Sequence, residues 1–231
     1  MPTHVAEIAS LFPEASALRM AEASDWEAPL VAGEVAIVAR AVAKRRREFA
    51  AGRACARDAL STLGGEAGAL PRDPDRVPVW PQGFVGSISH CDDACGAVVA
   101  RASDVVALGF DVEGADALPT EVIDTVLGPA ERDRAQEHDR ALGRDWAKLV
   151  WSAKESFYKA YFPRLRHTLE FHDAEVQLAG PGQFQVRLVD PSAPSWFGRR
   201  EIEGRFVYRE RLLYTGVFLE ASDAGASEAS G

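Results

Sequence analysis

Two short stretches hold the residues whose types and spacing could do chemistry. In residues 109–113, Asp111 and Glu113 stand two positions apart at the end of an apolar run. In residues 151–159, Glu155 and Lys159 stand four positions apart. Carboxylates are the hard oxygen ligands that Mg²⁺ prefers, and an ammonium can neutralise a phosphate. Three carboxylates and a lysine would suffice to hold Mg²⁺ on a phosphate ester and to manage the proton of a phosphoryl transfer.

The first stretch is expected to end a β-strand. Side chains alternate across a strand, so Asp111 and Glu113 would share one face, about 6–7 Å apart along the chain. The opposite, apolar face would consist of Val106, Leu108, Phe110 and Val112. Two like charges at that distance repel each other unless a cation or a proton intervenes. For an isolated pair, a solvated strand end is the alternative.

The second stretch is expected to lie on an amphipathic helix that Asp145 caps and that ends before Pro163. Glu155 and Lys159 would then meet one turn apart. A surface ion pair worth a few tenths of a kcal/mol is the alternative. Trp151 lies on the same stripe as Glu155, however, which indicates a cleft rather than open solvent.

Several further residues could contact phosphate. Ser89 and His90 end an expected strand, although a histidine in that position is more often structural. An arginine-rich helix would place Arg46, Arg53 and Arg57 on roughly one stripe, where guanidinium forks suit phosphate. A solvated basic face is the usual alternative. Arg72 and Arg76, in a proline-rich loop, are equally ambiguous.

Composition narrows the class of protein. The 231 residues, 47% hydrophobic and 26% charged, are typical of a soluble globular chain, and no apolar run approaches the ~18 residues of a membrane span. The net charge of −9 argues against nucleic acid as a partner. The first residues contain no basic leader, so we expect a cytoplasmic protein that does not contact membranes. Its three cysteines should be reduced and partly buried thiols.

The order of expected elements is a helical region followed by strands, and it occurs twice. Helices are expected within 31–63, 121–127 and 129–140 and from 146 onward. The segment 70–81 is expected to be a loop. Strands are expected at 84–89, 96–101, 105–112, 174–178, 183–189, 204–209 and 212–219. We therefore predict an α+β fold of two similar halves, 1–112 and 113–220, with the site at their junction and a disordered tail at 221–231.

The chain resembles a known family, the 4′-phosphopantetheinyl transferases. It is most similar to the large, pseudo-dimeric type that serves surfactin and enterobactin synthesis. Four stretches in the family's order support the resemblance: 53–57, 80–90, the G-F-D-V-E stretch 109–113 and the W-S-A-K-E-S-F-Y-K stretch 151–159. The last two are specific as a pair. The resemblance implies two halves related by a pseudo-two-fold axis, in a chain that functions as a monomer.

The resemblance also implies an activity. The 4′-phosphopantetheine arm of coenzyme A would pass to a serine hydroxyl of an acyl or peptidyl carrier protein, which releases adenosine 3′,5′-bisphosphate. Asp111, Glu113 and Glu155 would bind Mg²⁺ or Mn²⁺. Glu155, directly or through water, would deprotonate the serine, and Lys159 would assist the departing phosphate. The remaining contacts to coenzyme A would come from Arg45, Arg53, Arg72, Ser89, His90 and Lys154.

Some features depart from the family pattern. Phe110 replaces the usual aliphatic residue, and the loop 71–78 lacks a clean G-K-P stretch, which leaves Arg72 and Arg76 as competing ligands of coenzyme A. Carrier proteins are typically acidic, as is this chain, so docking would need a local basic or apolar patch. Two other functions stay open at this level: a Mg²⁺-dependent nuclease and a non-catalytic protein that binds coenzyme A or a nucleotide.

Overall fold

The computed structural model describes the backbone of residues 3–228 and the side-chain surroundings of residues 4–224. The helices in this range are α1 (Thr3–Ala9), α2 (Ala43–Thr62), α3 (Thr120–Val126), α4 (Pro129–Asp133), α5 (Ala135–Leu142), α6 (Trp146–Leu165) and α7 (Ala221–Glu228). The strands are β1 (Ser16–Met20), β2 (Phe84–His90), β3 (Cys95–Arg101), β4 (Val105–Gly114), β5 (Ala174–Gly180), β6 (Gln183–Leu188), β7 (Glu201–Arg209) and β8 (Leu212–Glu220). None of these helices combines the length and hydropathy that crossing a bilayer requires.

The strands form two antiparallel sheets, and each has a long helix against it. The sheet of the N-terminal half has the order β1-β3-β2, and the sheet of the C-terminal half has the order β4-β8-β7-β6-β5. The α+β architecture of two halves is therefore confirmed. The predicted boundary at 112/113 falls inside β4, however, because the change of sheet comes earlier, between β3 and β4.

Helix α2 packs on the three-stranded sheet through small side chains. Its alanine-rich middle is buried, with Ala51, Cys55 and Ala56 fully inaccessible to solvent. Alanine favours the helix and lets the helix approach the sheet closely. The helix ends at Thr62, and Gly64 just beyond it has a φ of +73°, in the left-handed region that favours glycine. The three cysteines are free thiols as predicted, Cys55 and Cys95 buried and Cys91 half-buried.

Helix α6 is the central helix of the C-terminal half. The Asp145 side chain accepts a hydrogen bond from the Lys148 backbone N–H at 2.6 Å, which confirms the predicted cap. The prediction that the helix ends before Pro163 is wrong, because α6 continues to Leu165. Pro163 lies in the last turn, so its missing N–H removes only one hydrogen bond close to the helix end, where backbone hydrogen bonding is incomplete in any helix. Arg166 follows the helix in the left-handed conformation, with a φ of +54°.

Strand β4 separates two hydrophobic cores. Leu108, Phe110 and Val112 face a core shared with α1, as their alternation predicts. Val106 does not join them, because a register shift between Val105 and Ala107 turns it towards the core around α6. The other face of β4 lies directly against α6.

Gly109 sets the distance between β4 and α6. A Cβ atom at this position would lie 1.8 Å from the Ser156 carbonyl oxygen. Only glycine permits so close an approach of strand to helix. The glycine therefore brings Asp111 and Glu113 within reach of side chains on α6.

A serine joins the two sheets where β2 runs beside β4. Ser87 Oγ accepts a hydrogen bond from the Phe110 N–H at 3.0 Å and donates to the Phe110 carbonyl at 3.4 Å. One hydroxyl thus satisfies both backbone groups of a residue that has no strand partner on this side. The Ser87 side chain thus takes the place of backbone–backbone hydrogen bonds between β2 and β4.

Three parts of the chain differ from the prediction made from the sequence: the two ends and the segment 129–140. Helix α1 and strand β1 were not predicted, because their short segments contain no clear periodic pattern. The 129–140 segment forms two helices, α4 and α5, which meet at Arg134. The tail 221–231 was predicted to be disordered, but residues 221–228 form α7, and residues 229–231 lie outside the described range.

Replacement of Gly109 by alanine should destabilise the protein by about 3 kcal/mol, because the added methyl group must separate β4 from α6. Urea unfolding followed by circular dichroism would measure this loss. Gly68→Ala is the matched control, since a Cβ there would meet nothing within 4 Å. Equal stability of the two variants would contradict the close-packing argument.

Candidate active site

A pocket of about 560 Å³ lies between the two halves. Its walls come from α2, the loop that precedes β2, the end of β2, the end of β4 and one face of α6. Of the predicted site residues, the following line it: Arg45, Arg53, Arg72, Ser89, His90, Asp111, Glu113, Glu155 and Lys159. The structure thus brings together residues that are far apart in the chain, from Arg45 to Lys159, 114 positions later.

Asp111 is the centre of this arrangement. Its side chain is 3% exposed, and one oxygen, Oδ1, accepts hydrogen bonds from Lys159 Nζ at 2.6 Å and from Ser89 Oγ at 2.8 Å. The other oxygen, Oδ2, accepts from Ser152 Oγ at 2.7 Å. A buried carboxylate is tolerated only when its lone pairs are satisfied in this way. Asp111 therefore joins β2, β4 and α6 at one point.

The hydroxyls around Asp111 are themselves fixed. Ser89 Oγ accepts from Lys159 Nζ at 3.0 Å and from the Val112 N–H at 3.3 Å, so its single proton is left for Asp111. Ser152 is in contact with Thr215 Oγ1 at 3.0 Å, and the Thr215 hydroxyl donates to the Ser152 carbonyl at 2.9 Å. These bonds hold the aspartate in one orientation.

Glu113 and Glu155 flank Asp111 in a less saturated environment. Glu113 accepts a hydrogen bond from Trp151 Nε1 at 3.2 Å, and Lys148 Nζ lies 3.8 Å away. Burial, and secondly the Asp111 charge, raise the pKa of Glu113 above its ordinary value. Burial also raises the pKa of Glu155, opposed by the Lys159 ammonium.

The face of α2 towards the pocket follows a helical stripe: Arg45, Glu48, Phe49, Gly52 and Arg53. The stripe predicted from the sequence was Arg46, Arg53 and Arg57, and it is wrong in two positions. Arg46 donates to the Val38 and Ala39 carbonyls, and Arg57 pairs with the fully buried Glu34 at 2.9 Å. Both cations therefore serve the fold.

Arg53 lines the pocket and also links helix α2 to the loop that precedes β2. It is 5% exposed, its Nε donates to the Leu70 carbonyl at 2.8 Å, and its guanidinium lies 4.4 Å from the centre of the Phe49 ring. Burial lowers the pKa of Arg53 to about 10, so the group stays charged at neutral pH. A buried cation with free N–H groups is suited to bind an anion.

The loop before β2 is held at two points by charged side chains. Its first residue, Leu70, donates its N–H to Glu34 at 3.0 Å. Further along, Arg166 at the end of α6 pairs with Asp73 at 2.5 Å and with Asp75 at 3.0 Å, which ties the loop to the C-terminal half. Arg72 and Arg76 both line the pocket, so the choice between them that the sequence left open stays open.

His90 lies between the arginine wall and the Asp111 cluster. Its Nε2 is 2.5 Å from Arg45 Nη1, and its Nδ1 is 3.7 Å from a Glu48 oxygen. Burial lowers the pKa of His90, while the Glu48 charge opposes that change. Glu48 thus helps to hold the side chains of Arg45 and His90 at the pocket edge.

Lys154 is the one predicted site residue that the structure places elsewhere. Its side chain is 4% exposed and points away from the pocket, with all three Nζ protons donated: to Glu131 at 2.7 Å and to the carbonyls of Val126 and Phe171 at 2.8 Å each. Burial lowers the pKa of Lys154, and Glu131 opposes this. The predicted contact with phosphate is therefore wrong, and Lys154 holds the C-terminal half together.

The donor chemistry of the pocket fits a divalent cation. Asp111, Glu113 and Glu155 line one region of the pocket, and burial together with their mutual charge opposes ionisation of the two glutamates. A cation would favour the ionised forms. Among residues 4–224, no three acidic, histidine or cysteine side chains are close enough to form a preassembled metal site. Asp111 instead pairs with Lys159.

The sequence reasoning missed several residues of this site. Ser152 belongs to the stretch 151–159 and lies three positions before Glu155, a helical spacing that indicates a shared face. Glu48 lies three positions after Arg45 and could have been found in the same way. Thr215, on the opposite strand of the β4–β8 pair, gave no signal in the sequence.

Comparison with known proteins gives consistent matches. Residues 33–100 match the family model described as the 4′-phosphopantetheinyl transferase N-terminal domain, and residues 107–208 match the 4′-phosphopantetheinyl transferase superfamily. The chain is 42% identical over 201 residues to the 4′-phosphopantetheinyl transferase Svp of Streptomyces mobaraensis, a match that covers 85% of this chain and 81% of Svp.

A second curated relative is the 4′-phosphopantetheinyl transferase PptT of Mycobacterium tuberculosis, 38% identical over 193 residues, with 80% of this chain and 84% of PptT covered. Among solved structures, the holo-[acyl-carrier-protein] synthase of Thermotoga maritima matches with a TM-score of 0.39 and 21% identity, over 50% of this chain and 64% of that one.

Loss of the buried Lys154 charge should destabilise the protein strongly. Lys154→Met leaves Glu131 as an unpaired buried carboxylate, for which about 3–5 kcal/mol is expected in urea unfolding. Adding Glu131→Gln should recover part of that loss. Arg132→Met, at an exposed pair with Asp124, is the control and should cost less than about 1 kcal/mol. Similar losses in both single variants would contradict a structural role for Lys154.

Neutralising Glu155 should stabilise the fold near neutral pH. Because its pKa is raised, the folded protein binds the proton more tightly than the unfolded chain, and stability is lost as pH rises through the folded pKa. Glu155→Gln removes that loss, so its advantage in urea unfolding should be present at neutral pH and vanish below pH 4.5. The control is Glu203→Gln at an exposed position of β7. A Glu155→Gln variant that is no more stable than wild type at neutral pH would refute the argument.

Proposed function

Because the chain belongs to the 4′-phosphopantetheinyl transferase superfamily, we propose that it transfers the 4′-phosphopantetheine arm of coenzyme A to a serine hydroxyl of a carrier protein. In this reaction the serine oxygen forms a bond to the phosphorus that bears pantetheine. The bond from that phosphorus to the bridging oxygen breaks, and adenosine 3′,5′-bisphosphate leaves.

One observation supports this proposal above the others. A single pocket has arginines on the wall from the N-terminal half and three carboxylates with a lysine on the wall from β4 and α6. Phosphoryl transfer needs positioning and charge stabilisation rather than a protein nucleophile, and this pocket offers both. Glu155 and Lys159 stand one turn apart on helix α6, whereas a nuclease of the restriction type would place its glutamate and lysine two positions apart on a strand.

The arginine wall is suited to bind the phosphates of coenzyme A. Arg45, whose guanidinium donates to His90, provides a cation at the pocket edge, and the buried Arg53 presents N–H groups that the Leu70 carbonyl does not use. Arg72 or Arg76 would add a further cation from the loop. Guanidinium groups bind phosphate oxygens through paired hydrogen bonds, so this wall would orient the nucleotide end of the substrate.

Lys159 would assist the departing phosphate. Asp111 and Ser89 hold its ammonium at the pocket surface, where the side chain remains 27% exposed. A phosphate in the pocket would compete with Asp111 for this ammonium. Lys159 would then neutralise the charge that develops on the leaving group, while Asp111 regains an oxygen for another cation.

Glu155 would accept the proton of the carrier serine, directly or through water. A general base works best when its pKa is close to the ambient pH, and burial shifts Glu155 in that direction. Among the described residues, no donor forms a hydrogen bond with its carboxylate, so both oxygens are available. Asp111, which is saturated by three partners, is a poorer candidate for this role.

Asp111, Glu113 and Glu155 would hold Mg²⁺ or Mn²⁺ next to the pyrophosphate. When bound, such a cation neutralises phosphate charge and lowers the barrier to attack. Their carboxylate oxygens are the hard donors that these metals prefer. In the absence of the cation, the buried charges of the two glutamates would hinder binding of an anionic substrate.

Intact-mass spectrometry of an apo carrier protein incubated with this protein, coenzyme A and Mg²⁺ should show the gain of one phosphopantetheine unit, and EDTA should abolish it. Glu155→Ala and Asp111→Ala should each reduce the rate by at least about a thousandfold while circular dichroism stays unchanged. Glu203→Ala, on β7 outside the pocket, is the matched control. Wild-type turnover in either variant would refute the assigned roles, and absence of transfer with several carrier types would refute the function.

A further inference from the structure

Arg166 lies outside the pocket but holds two aspartates of the loop that lines it. Its guanidinium pairs with Asp73 at 2.5 Å and with Asp75 at 3.0 Å. The same guanidinium lies 5.8 Å from the centre of the Phe162 ring, and that ring belongs to the pocket wall. Arg166 itself does not line the pocket. Any effect of Arg166 on a ligand must therefore act through these neighbours.

The two aspartates belong to a short hairpin formed by residues 71–79. Its two sides meet in an antiparallel bridge. The Asp73 carboxylate accepts a hydrogen bond from the Val77 N–H at 2.9 Å, and the Arg76 N–H donates to the Asp73 carbonyl at 3.0 Å. These bonds fix the backbone of the hairpin tip, and the Arg76 side chain lines the pocket.

The hairpin tip and the end of α6 share an unusual backbone conformation. Among the described residues, four that are not glycine have a positive φ, and two of them are Arg76 at +69° and Arg166 at +54°. A residue with a Cβ atom adopts this left-handed conformation at a cost that the surrounding structure must offset. Such residues concentrate at ligand-binding sites, so the strain points to a role of these two side chains.

The hairpin carboxylates would interfere with an anionic ligand if they were free. Asp75 lines the pocket, and its side chain is 54% exposed. A free carboxylate there would repel a phosphate. It would also compete for Arg76, which follows it directly in the chain. Within the described part of the chain the Arg76 guanidinium has no hydrogen-bond or ion-pair partner, whereas Arg72 donates to the Ile37 carbonyl at 3.4 Å.

We propose that Arg166 is a positioning residue: by occupying both aspartates, it leaves the Arg76 guanidinium free to bind a phosphate of coenzyme A. The proposal rests on the proposed transfer from coenzyme A. An arginine fork gives paired hydrogen bonds to phosphate oxygens, and these form only when no carboxylate holds the fork. The end of α6 thereby controls a cation that the N-terminal half contributes to the pocket.

Glycine at position 166 removes the pairing without weakening the helix end. Glycine is favoured just after a helix and adopts the left-handed conformation freely. The Arg166 side chain is 45% exposed, so its ion pairs contribute little to stability. In urea unfolding, Arg166→Gly should therefore be at least as stable as the wild type.

The matched control is Glu210→Gly. Glu210 also has a positive φ, +54°, and its carboxylate contacts His4 at 2.9 Å on the surface. It does not line the pocket. The substitution therefore removes the same backbone strain and an exposed polar contact without touching the hairpin.

Calorimetric titration with coenzyme A in the presence of Mg²⁺ tests the proposal. Arg166→Gly and Arg76→Gly should each raise the Kd for coenzyme A about tenfold, the effect of losing hydrogen bonds to a charged group, and Glu210→Gly should leave it unchanged. In transfer assays, the KM for coenzyme A should rise in the same way. The kcat and the KM for the carrier protein should stay at wild-type values.

Neutral hairpin residues should rescue the loss. In the triple variant Arg166→Gly/Asp73→Asn/Asp75→Asn, the Kd should return to within about threefold of the wild-type value, because amides neither hold the Arg76 guanidinium strongly nor repel phosphate. Asparagine at position 73 can still accept the hydrogen bond from the Val77 N–H. A purely structural role of Arg166 would give no such rescue.

Three results would overturn the proposal. They are a wild-type Kd in Arg166→Gly, a wild-type Kd in Arg76→Gly, and a triple variant that binds as weakly as Arg166→Gly. Titration with 3′-dephospho-coenzyme A identifies the phosphate, and either answer supports the proposal. An equal loss in Arg76→Gly would assign Arg76 to the pyrophosphate, and a loss confined to coenzyme A would assign it to the 3′-phosphate.

A measurement without coenzyme A separates this proposal from the transfer activity. The side-chain Nε–H NMR signal of Arg76, assigned by its absence in Arg76→Gly, should exchange with water more slowly in Arg166→Gly than in the wild type, because a carboxylate then holds the group. Slower exchange in a protein that binds no coenzyme A would refute the proposed function but support the role of Arg166. Equal exchange in the two proteins would overturn that role.

Discussion

The contact between the Asp111 carboxylate and the Lys159 ammonium is the interaction on which the site depends. Asp111 is 3% exposed, so its charge must be stabilised, and hydrogen bonds reach it from three directions: Ser89 on β2, Ser152 on α6 and Lys159 about two turns further along α6. Each partner belongs to a different element or turn, and together they fix β2, β4 and α6 relative to one another. The close approach at Gly109 makes this possible, because any larger residue would move β4 away from α6.

Two lysines of the same helix differ in burial, and this difference gives one a structural role and leaves the other available to a ligand. Lys154 and Lys159 are five positions apart, which places them on different faces of α6. Lys154 is saturated by Glu131 and two carbonyls, and no proton of its ammonium is left for a ligand. Lys159 is partly exposed, and it donates to Ser89 and to the same Asp111 oxygen that Ser89 uses. A phosphate could therefore replace one of these acceptors. A buried, fully satisfied ion pair stabilises the fold only as long as both partners remain, whereas a partly exposed one can exchange.

The pocket is also divided by charge. Arginines of α2 and of the loop before β2 form one wall, and the carboxylates of β4 and α6 form another. Neither half has a complete set of groups for binding and transferring a phosphate. The Arg166 pairs with Asp73 and Asp75 tie the loop to the far end of α6, so the walls are connected at the pocket mouth as well as at Asp111. A substrate that carries several phosphates can contact both walls only by bridging the halves.

Local periodicity, capping and i,i+4 spacing predicted the α+β class, most strand positions, the capped helix after Asp145 and the placement of Glu155 and Lys159 one turn apart on α6. The expected meeting of those two side chains is not observed, because the Lys159 ammonium pairs with Asp111 instead. The resemblance to a family also predicted nine residues that line the pocket, four of them in the stretches 109–113 and 151–159. The direction of individual side chains came from the folded chain: Lys154 pairs with Glu131, and Arg46 and Arg57 of the predicted stripe bind backbone carbonyls and Glu34. Thr215 and Glu48 join the site without having been predicted. The physical reason is that burial and charge matching depend on groups from distant segments. No local pattern encodes where Val126, Phe171 and Glu131 will place their oxygens around one ammonium.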